Sequence, residues 1–68
     1  MKKSIGEKIR GYRQRTGLSQ NDLAQRVGVT RAVVTAWESG KACPKLDKLY
    51  PLANALKVDL YDLVCGKG

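Results

Sequence analysis

Apolar positions recur with helical spacing along almost the whole chain, and nowhere alternate for long enough to suggest a strand. After Ser4, the residues Ile5, Ile9 and Tyr12 form one stripe, while Glu7, Lys8, Arg10, Arg13, Gln14 and Arg15 fall mostly on other faces; this predicts a first helix ending near Thr16-Gly17. Ser19 followed three residues later by Asp22 is a capping-box-like start for a second helix. Leu23, Ala24 and Val27 are its buried stripe, and Gly28 suits a left-handed stop. Thr30 is a good cap for a third helix, so the turn between the two is only about three residues long.

At about 100° per residue, Val34, Trp37 and the cap Thr30 of helix three share one sector, which should be buried. Glu38 lies only about 40° from Val34 and should be partly buried with it. Opposite stand Ala32, Thr35, Ala36 and Ser39, with Arg31 at the edge near the start. A solvated helix face is usually rich in Lys and Glu, whereas this one is small and nearly uncharged. Small side chains let a helix backbone approach another surface closely, so the face reads as one built to be covered.

Leu46, Leu49, Leu52, Ala53 and Leu56 give a fourth helical pattern, interrupted by Pro51, which cannot donate to the residue-47 carbonyl. Either the regular helix starts near Tyr50, keeping proline in its first turn, or it is kinked there. Lys57 must make the next turn without the ease of glycine, and Asp59 should cap a short last helix from Leu60 to Val64. The pattern thus predicts an all-α, compact five-helix bundle. Its expected core is Ile5, Ile9, Leu23, Val27, Val34, Trp37, Leu49, Leu52 and Leu56, completed by Val58, Leu60 and Leu63. Tyr61 and Val64 should remain outside as a small apolar patch.

Length makes this one domain over residues 1–68, with a core at about 5–64 and a loose tail at 65–68. Charge changes the picture more. Residues 1–48 hold eleven of the thirteen Lys/Arg and four of the six Asp/Glu, so the whole excess of +7 lies there and residues 49–68 are neutral. Such polarity suits a polyanion, nucleic acid before an anionic membrane. The basic first helix has too few apolar anchors to lie on a membrane and also fill a core. Lys2 and Lys3 read as a frayed basic arm.

With no histidine and with Cys43 and Cys65 far apart, there is no metal-ligand spacing; the two thiols read as reduced cysteines of a cytoplasmic protein. No apolar run is long enough to span a membrane, and no apolar segment follows the Met-Lys-Lys start. No nucleophile–base spacing or phosphate loop is present, so the chain is not expected to be an enzyme or to need a cofactor.

Leu18, Ser19, Gln20, Leu23, Ala24, Gly28, Val29, Val34, Trp37, Glu38 and Gly40, continued by Pro44, Leu49, Ala53, Leu56, Val58, Leu60 and Leu63, resemble the phage Cro/repressor, or XRE-type, helix-turn-helix transcriptional regulators. The resemblance runs roughly from Ile5 to Val64. It implies a lambda-repressor-like DNA-binding domain that inserts helix three, about residues 30–39, into the major groove of double-stranded DNA. On that basis Arg31, Ala32, Thr35 and Ala36 are the expected base contacts: Arg31 to guanine O6 and N7, the alanines and the Thr35 methyl to thymine methyls. Arg31 could bind phosphate instead. Expected phosphate contacts are Gln20 at the first turn of helix two, Thr30, Ser39, the loop lysines Lys41 and Lys45, and Arg13. The family also implies an ion pair between Arg13 and Glu38.

A half-site of a few base pairs is too short to be found in a genome, so a homodimer on a pseudo-palindromic operator is expected, in a prokaryotic or phage-encoded, nucleoid-associated setting and without a small-molecule ligand. The competing reading from another class is a protein-interaction module of the same fold, of antitoxin or coactivator type.

Overall fold

The computed structural model describes residues 4–64. It contains five α-helices in chain order: α1 (Ile5–Thr16), α2 (Gln20–Val27), α3 (Arg31–Ser39), α4 (Leu46–Leu56) and α5 (Leu60–Val64). The expected basic arm, the tail and Cys65 lie outside the described residues.

The first three helices begin and end where local chemistry dictates. Ser4 accepts the Glu7 N–H while the Glu7 carboxylate accepts the Ser4 N–H, and Ser19 and Asp22 form the same reciprocal box at α2. Thr30 accepts the Val33 N–H at 3.4 Å. Each of the three helices stops at a glycine in the left-handed region, Gly17, Gly28 and Gly40. The box at Ser4 and Glu7 is S-x-x-E where that at Ser19 is S-x-x-D, and it was equally legible in the sequence.

The core gathers Ile9, Leu23, Ala24, Val27, Val34, Trp37, Leu49, Leu52, Ala53, Ala55, Leu56 and Leu63. α3 packs on α1 and α2, α2 also packs on α4, and α5 closes the bundle against α4 and α1. Ile5, Val58 and Leu60 prove to be half-buried neighbours of the core rather than members of it, because they stand at helix starts and in a turn. Thr30 is exposed, contrary to its place on the buried sector: as the cap it has left helical geometry, and its oxygen turns to the Val33 N–H.

Of the two readings of α4, the late start is excluded. It is helical from Leu46, with Lys45 as a cap residue that makes no side-chain bond and Pro51 well inside. The Lys45 carbonyl accepts from both Lys48 and Leu49, closing the first turn without a cap. An interior proline costs about 3 kcal/mol. Burying Leu49, Leu52 and Leu56 returns roughly 1.5–3 kcal/mol each, which outweighs it. The carbonyl that Pro51 leaves unserved belongs to exposed Asp47, where water can take its place. Leu46, expected on the apolar stripe, is 67% exposed. Lys57 adopts the left-handed conformation at φ 58°, as the missing glycine requires. Before α5 the Asp59 N–H donates to the Asp62 carboxylate, so the recorded capping contact comes from Asp62 reaching back.

Candidate nucleic-acid interface

The site is built on a nearly buried ion pair. Arg13 of α1 donates from Nε to Glu38 Oε2 at 2.6 Å and from a terminal nitrogen to Glu38 Oε1 at 3.2 Å, and its other terminal nitrogen reaches the Leu18 carbonyl at 2.9 Å. The two side chains are only 12% and 5% exposed. Two charges this dry need each other and the extra donors. The expected pair is therefore present: three of the five Arg13 N–H donors point inward, and two are left where Arg13 lines a surface hollow with Arg10 and Gln20.

Gln20 extends this pair to the surface. Its Nε2 donates to Glu38 Oε1 at 3.1 Å, and its Oε1 accepts from Thr35 Oγ1 at 3.1 Å and from Arg31 Nε at 3.4 Å. Its side chain thus lies across α3, with one of its two amide N–H donors left for an outside acceptor. α2 also offers an anion its first-turn N–H groups. Arg31, Ala32, Thr35, Ala36, Ser39 and Lys41 line one shallow depression of about 520 Å³. All four expected base contacts are together in it. Arg10, exposed on α1, joins Gln20, Thr35 and Ser39 around a smaller adjoining hollow.

A short, small-faced helix held by a buried ion pair beside a capped partner helix describes many bundles, and comparison with known proteins narrows it. The profile of the Helix-turn-helix family matches residues 9–63, most of the chain. The chain belongs to the XRE-type helix-turn-helix family. An uncharacterised HTH-type transcriptional regulator of Methanothermobacter thermautotrophicus is 46% identical over 48 residues, covering 71% of this chain and 70% of that protein. The P22 c2 repressor, solved in complex with a synthetic operator, superposes with a TM-score of 0.92 at 29% identity, over 97% of this chain and all of that one. The restriction-modification controller protein C.AhdI of Aeromonas hydrophila gives 0.82 at 34% identity, over 87% of this chain and 89% of that one. The protein is an XRE-type helix-turn-helix DNA-binding transcriptional regulator.

Within this XRE-type domain, the remaining expected contacts differ in what they can offer. Thr30 accepts the Val33 N–H, which leaves its hydroxyl proton free for an outside acceptor. The Ser39 hydroxyl donates to the Ala36 carbonyl at 3.2 Å, so as arranged it has no donor for a phosphate. Lys41 and Lys45 are exposed on the loop after α3. Arg10 is the residue that sequence reading did not single out. Its spacing of three from Arg13 was the available signal, since i and i+3 share a helix face. Among the described residues, no helix is long and apolar enough to cross a membrane.

Proposed function

We propose that this regulator binds a pseudo-palindromic operator as a homodimer, each protomer laying α3 in the major groove. The observation that carries the reading is the joint depression of Arg31, Ala32, Thr35 and Ala36: a nearly uncharged, shallow, apolar strip with one arginine at its end and cations around it. Arg31 reads a guanine, Ala32 and Ala36 meet thymine methyls, and Lys41, Lys45, Arg10, Thr30 and the first-turn N–H groups of α2 hold phosphates. Two half-sites would lie about 34 Å apart, centre to centre. Tyr50 and Tyr61 on the neutral C-terminal part, with Leu46 just before it, all more than half exposed, supply apolar surface for the second subunit.

The regulator acts in the cytoplasm, catalyses nothing and needs no cofactor or small ligand. Dialysed protein should therefore bind its operator with undiminished affinity. Selection of bound sequences from random duplexes tests the reading. Arg31→Ala should cost about 1–3 kcal/mol at one base position, while Lys41→Ala should weaken all sequences alike and lower the salt slope by about one. Loss of affinity spread evenly over every base substitution in Arg31→Ala would refute direct readout, and a monomer by ultracentrifugation both free and on a full operator would refute the dimer. Weak binding indifferent to sequence would favour the protein-interaction module instead.

A further inference from the structure

The chain of hydrogen bonds that starts at Arg13 has a fixed direction, and that direction reaches the surface. Glu38, a carboxylate bonded to a guanidinium, can only accept. The Gln20 amide facing it must therefore present its NH2 end; turned over, its carbonyl oxygen would abut the carboxylate oxygen 3.1 Å away. With one N–H of the amide bound to Glu38 and the NH2 end thereby fixed on that side, the Gln20 oxygen faces α3, where it accepts from Arg31 Nε and Thr35 Oγ1. Threonine has one hydroxyl proton, and this bond uses it. Thr35 is exposed and lies in the depression on the outer face of α3, so what its hydroxyl offers outward is lone pairs alone.

We infer that Gln20, aimed by the Arg13–Glu38 pair, sets Thr35 as an obligate acceptor, which makes Thr35 select an exocyclic amine, adenine N6 or cytosine N4, on the strand it faces. The inference rests on the proposed major-groove docking of α3 and adds to it the polarity of one contact. Every base pair shows one amine and one keto group in the major groove. An acceptor-only hydroxyl therefore distinguishes A·T from T·A and C·G from G·C, where a free hydroxyl could satisfy either orientation. Gln20 is a positioning residue here. Its effect on the base passes through Thr35.

The test uses the full chain and duplexes selected from a random pool, followed by competition titrations at each enriched position. The position read by Thr35 is the one whose preference is lost in Thr35→Val and kept in Thr35→Ser. There the native protein should favour A or C over T or G on one strand by about fivefold or more. Gln20→Met, similar in shape but without hydrogen-bonding groups, should bring that preference within about twofold while leaving discrimination in place at enriched positions read by neither Thr35 nor Arg31, since Arg31 also bonds Gln20. Replacing the adenine by purine, or the cytosine by 2-pyrimidinone, removes the amine alone. This should weaken the native protein about fivefold beyond its effect on Thr35→Val, a comparison that stands even if Gln20→Met does not fold. A keto preference at that position, an amine preference that survives in Gln20→Met, or equal losses with the amine-free base in the native and Thr35→Val proteins would each overturn the inference. An enriched site that never forms would overturn the docking on which it rests.

Discussion

The two ends of the molecule hold their helices by different means. α1, α2 and α3 each start on a side chain that accepts a first-turn N–H and each end on a left-handed glycine. α4 starts on Lys45 with no side-chain cap, carries Pro51 inside and ends on Lys57 at φ 58°. Yet α4 supplies five of the twelve apolar core residues, Leu49, Leu52, Ala53, Ala55 and Leu56. The front of the domain is fixed by local hydrogen bonds and one buried polar network, the back by packing. The difference follows from what each end does. On the proposed docking, base reading would require α2 and α3 to hold their relative position to a fraction of an ångström, which directional bonds enforce. A supporting helix needs only to fill volume.

The sharpest way to break the front is to remove Glu38. With its partner gone, the Arg13 guanidinium stays nearly buried with the Leu18 carbonyl for company, and stability should fall by about 3–5 kcal/mol. At roughly 0.05–0.15 kcal/mol per residue this is a large share of what a small domain has. Chemical denaturation of Glu38→Ala measures it. The double variant Arg13→Met, Glu38→Leu should recover most of the stability, because apolar replacements of a buried pair are often neutral. It should still read its operator poorly, because Gln20 loses its anchor. Recovery of both stability and discrimination would mean that the pair is only core.

Gly6 comes next. It lies buried where α1 crosses the end of α3, and an added Cβ would overlap the Trp37 carbonyl oxygen and stand 3.0 Å from that of Glu38. Both obstacles are backbone, so α1 itself must move, and Gly6→Ala should cost about 1–3 kcal/mol despite the better helix propensity of alanine. Gly11, five residues on, meets nothing within 4 Å, so Gly11→Ala should instead stabilise by up to about 1 kcal/mol. Thermal unfolding of the two variants gives opposite signs if the close crossing is real, and the same sign if it is not.

These cases show why the sequence was more legible at the front than at the back. The box at Ser19, the stops at Gly17, Gly28 and Gly40, and the burial of Glu38 beside Val34 are carried by single residues whose chemistry acts within one turn. The fold class and the outer face of α3 followed from the helical spacing of the apolar residues between those signals. The close approach at Gly6 was not legible, because a glycine inside a helical run looks the same whether another backbone crosses it or not. The start of α4, for which a late start and a kink at Pro51 were both open, was illegible for the opposite reason. Pro51 is a strong local signal, and it lost to apolar burial that only the assembled bundle supplies. At the site, spacing gave the members of the α3 face but not their hydrogen-bond polarity. Gln20 reads as a free side chain until Glu38 and Thr35 are seen on either side of it.

The back of the molecule should be improvable at its own turn. Lys57 holds a conformation that costs an ordinary L-residue about 1–2 kcal/mol, and glycine adopts it without that cost but loses more chain entropy on folding. Lys57→Gly should therefore stabilise by about 0.5–1 kcal/mol, read as a raised denaturation midpoint, with operator affinity unchanged because the residue lies far from α3 in the chain and on the side lined by Tyr12, Asn54 and Asp62. A loss of affinity would show that α4 and α5 do more than fill volume.

The smallest effect belongs to the cap of α2. The Ser19 N–H donates to the Asp22 carboxylate, and this bond, with the Ser19 side-chain bond and nearby Arg26 adding to it, holds the Asp22 carboxyl below the usual carboxylate range. Because the folded value is the lower one, the cap's contribution is whole above that range and is lost as pH falls through the usual carboxylate range and then through the folded value. Asp22→Asn keeps a neutral acceptor but does not titrate. The native protein should melt slightly above Asp22→Asn at neutral pH, with the gap closing as the solution is taken to acid. Asp22 is fully exposed, so the gap should also shrink in high salt. A gap constant from neutral to acid pH would assign the difference to shape rather than charge, leaving the N-terminus of α2 held by Ser19 alone.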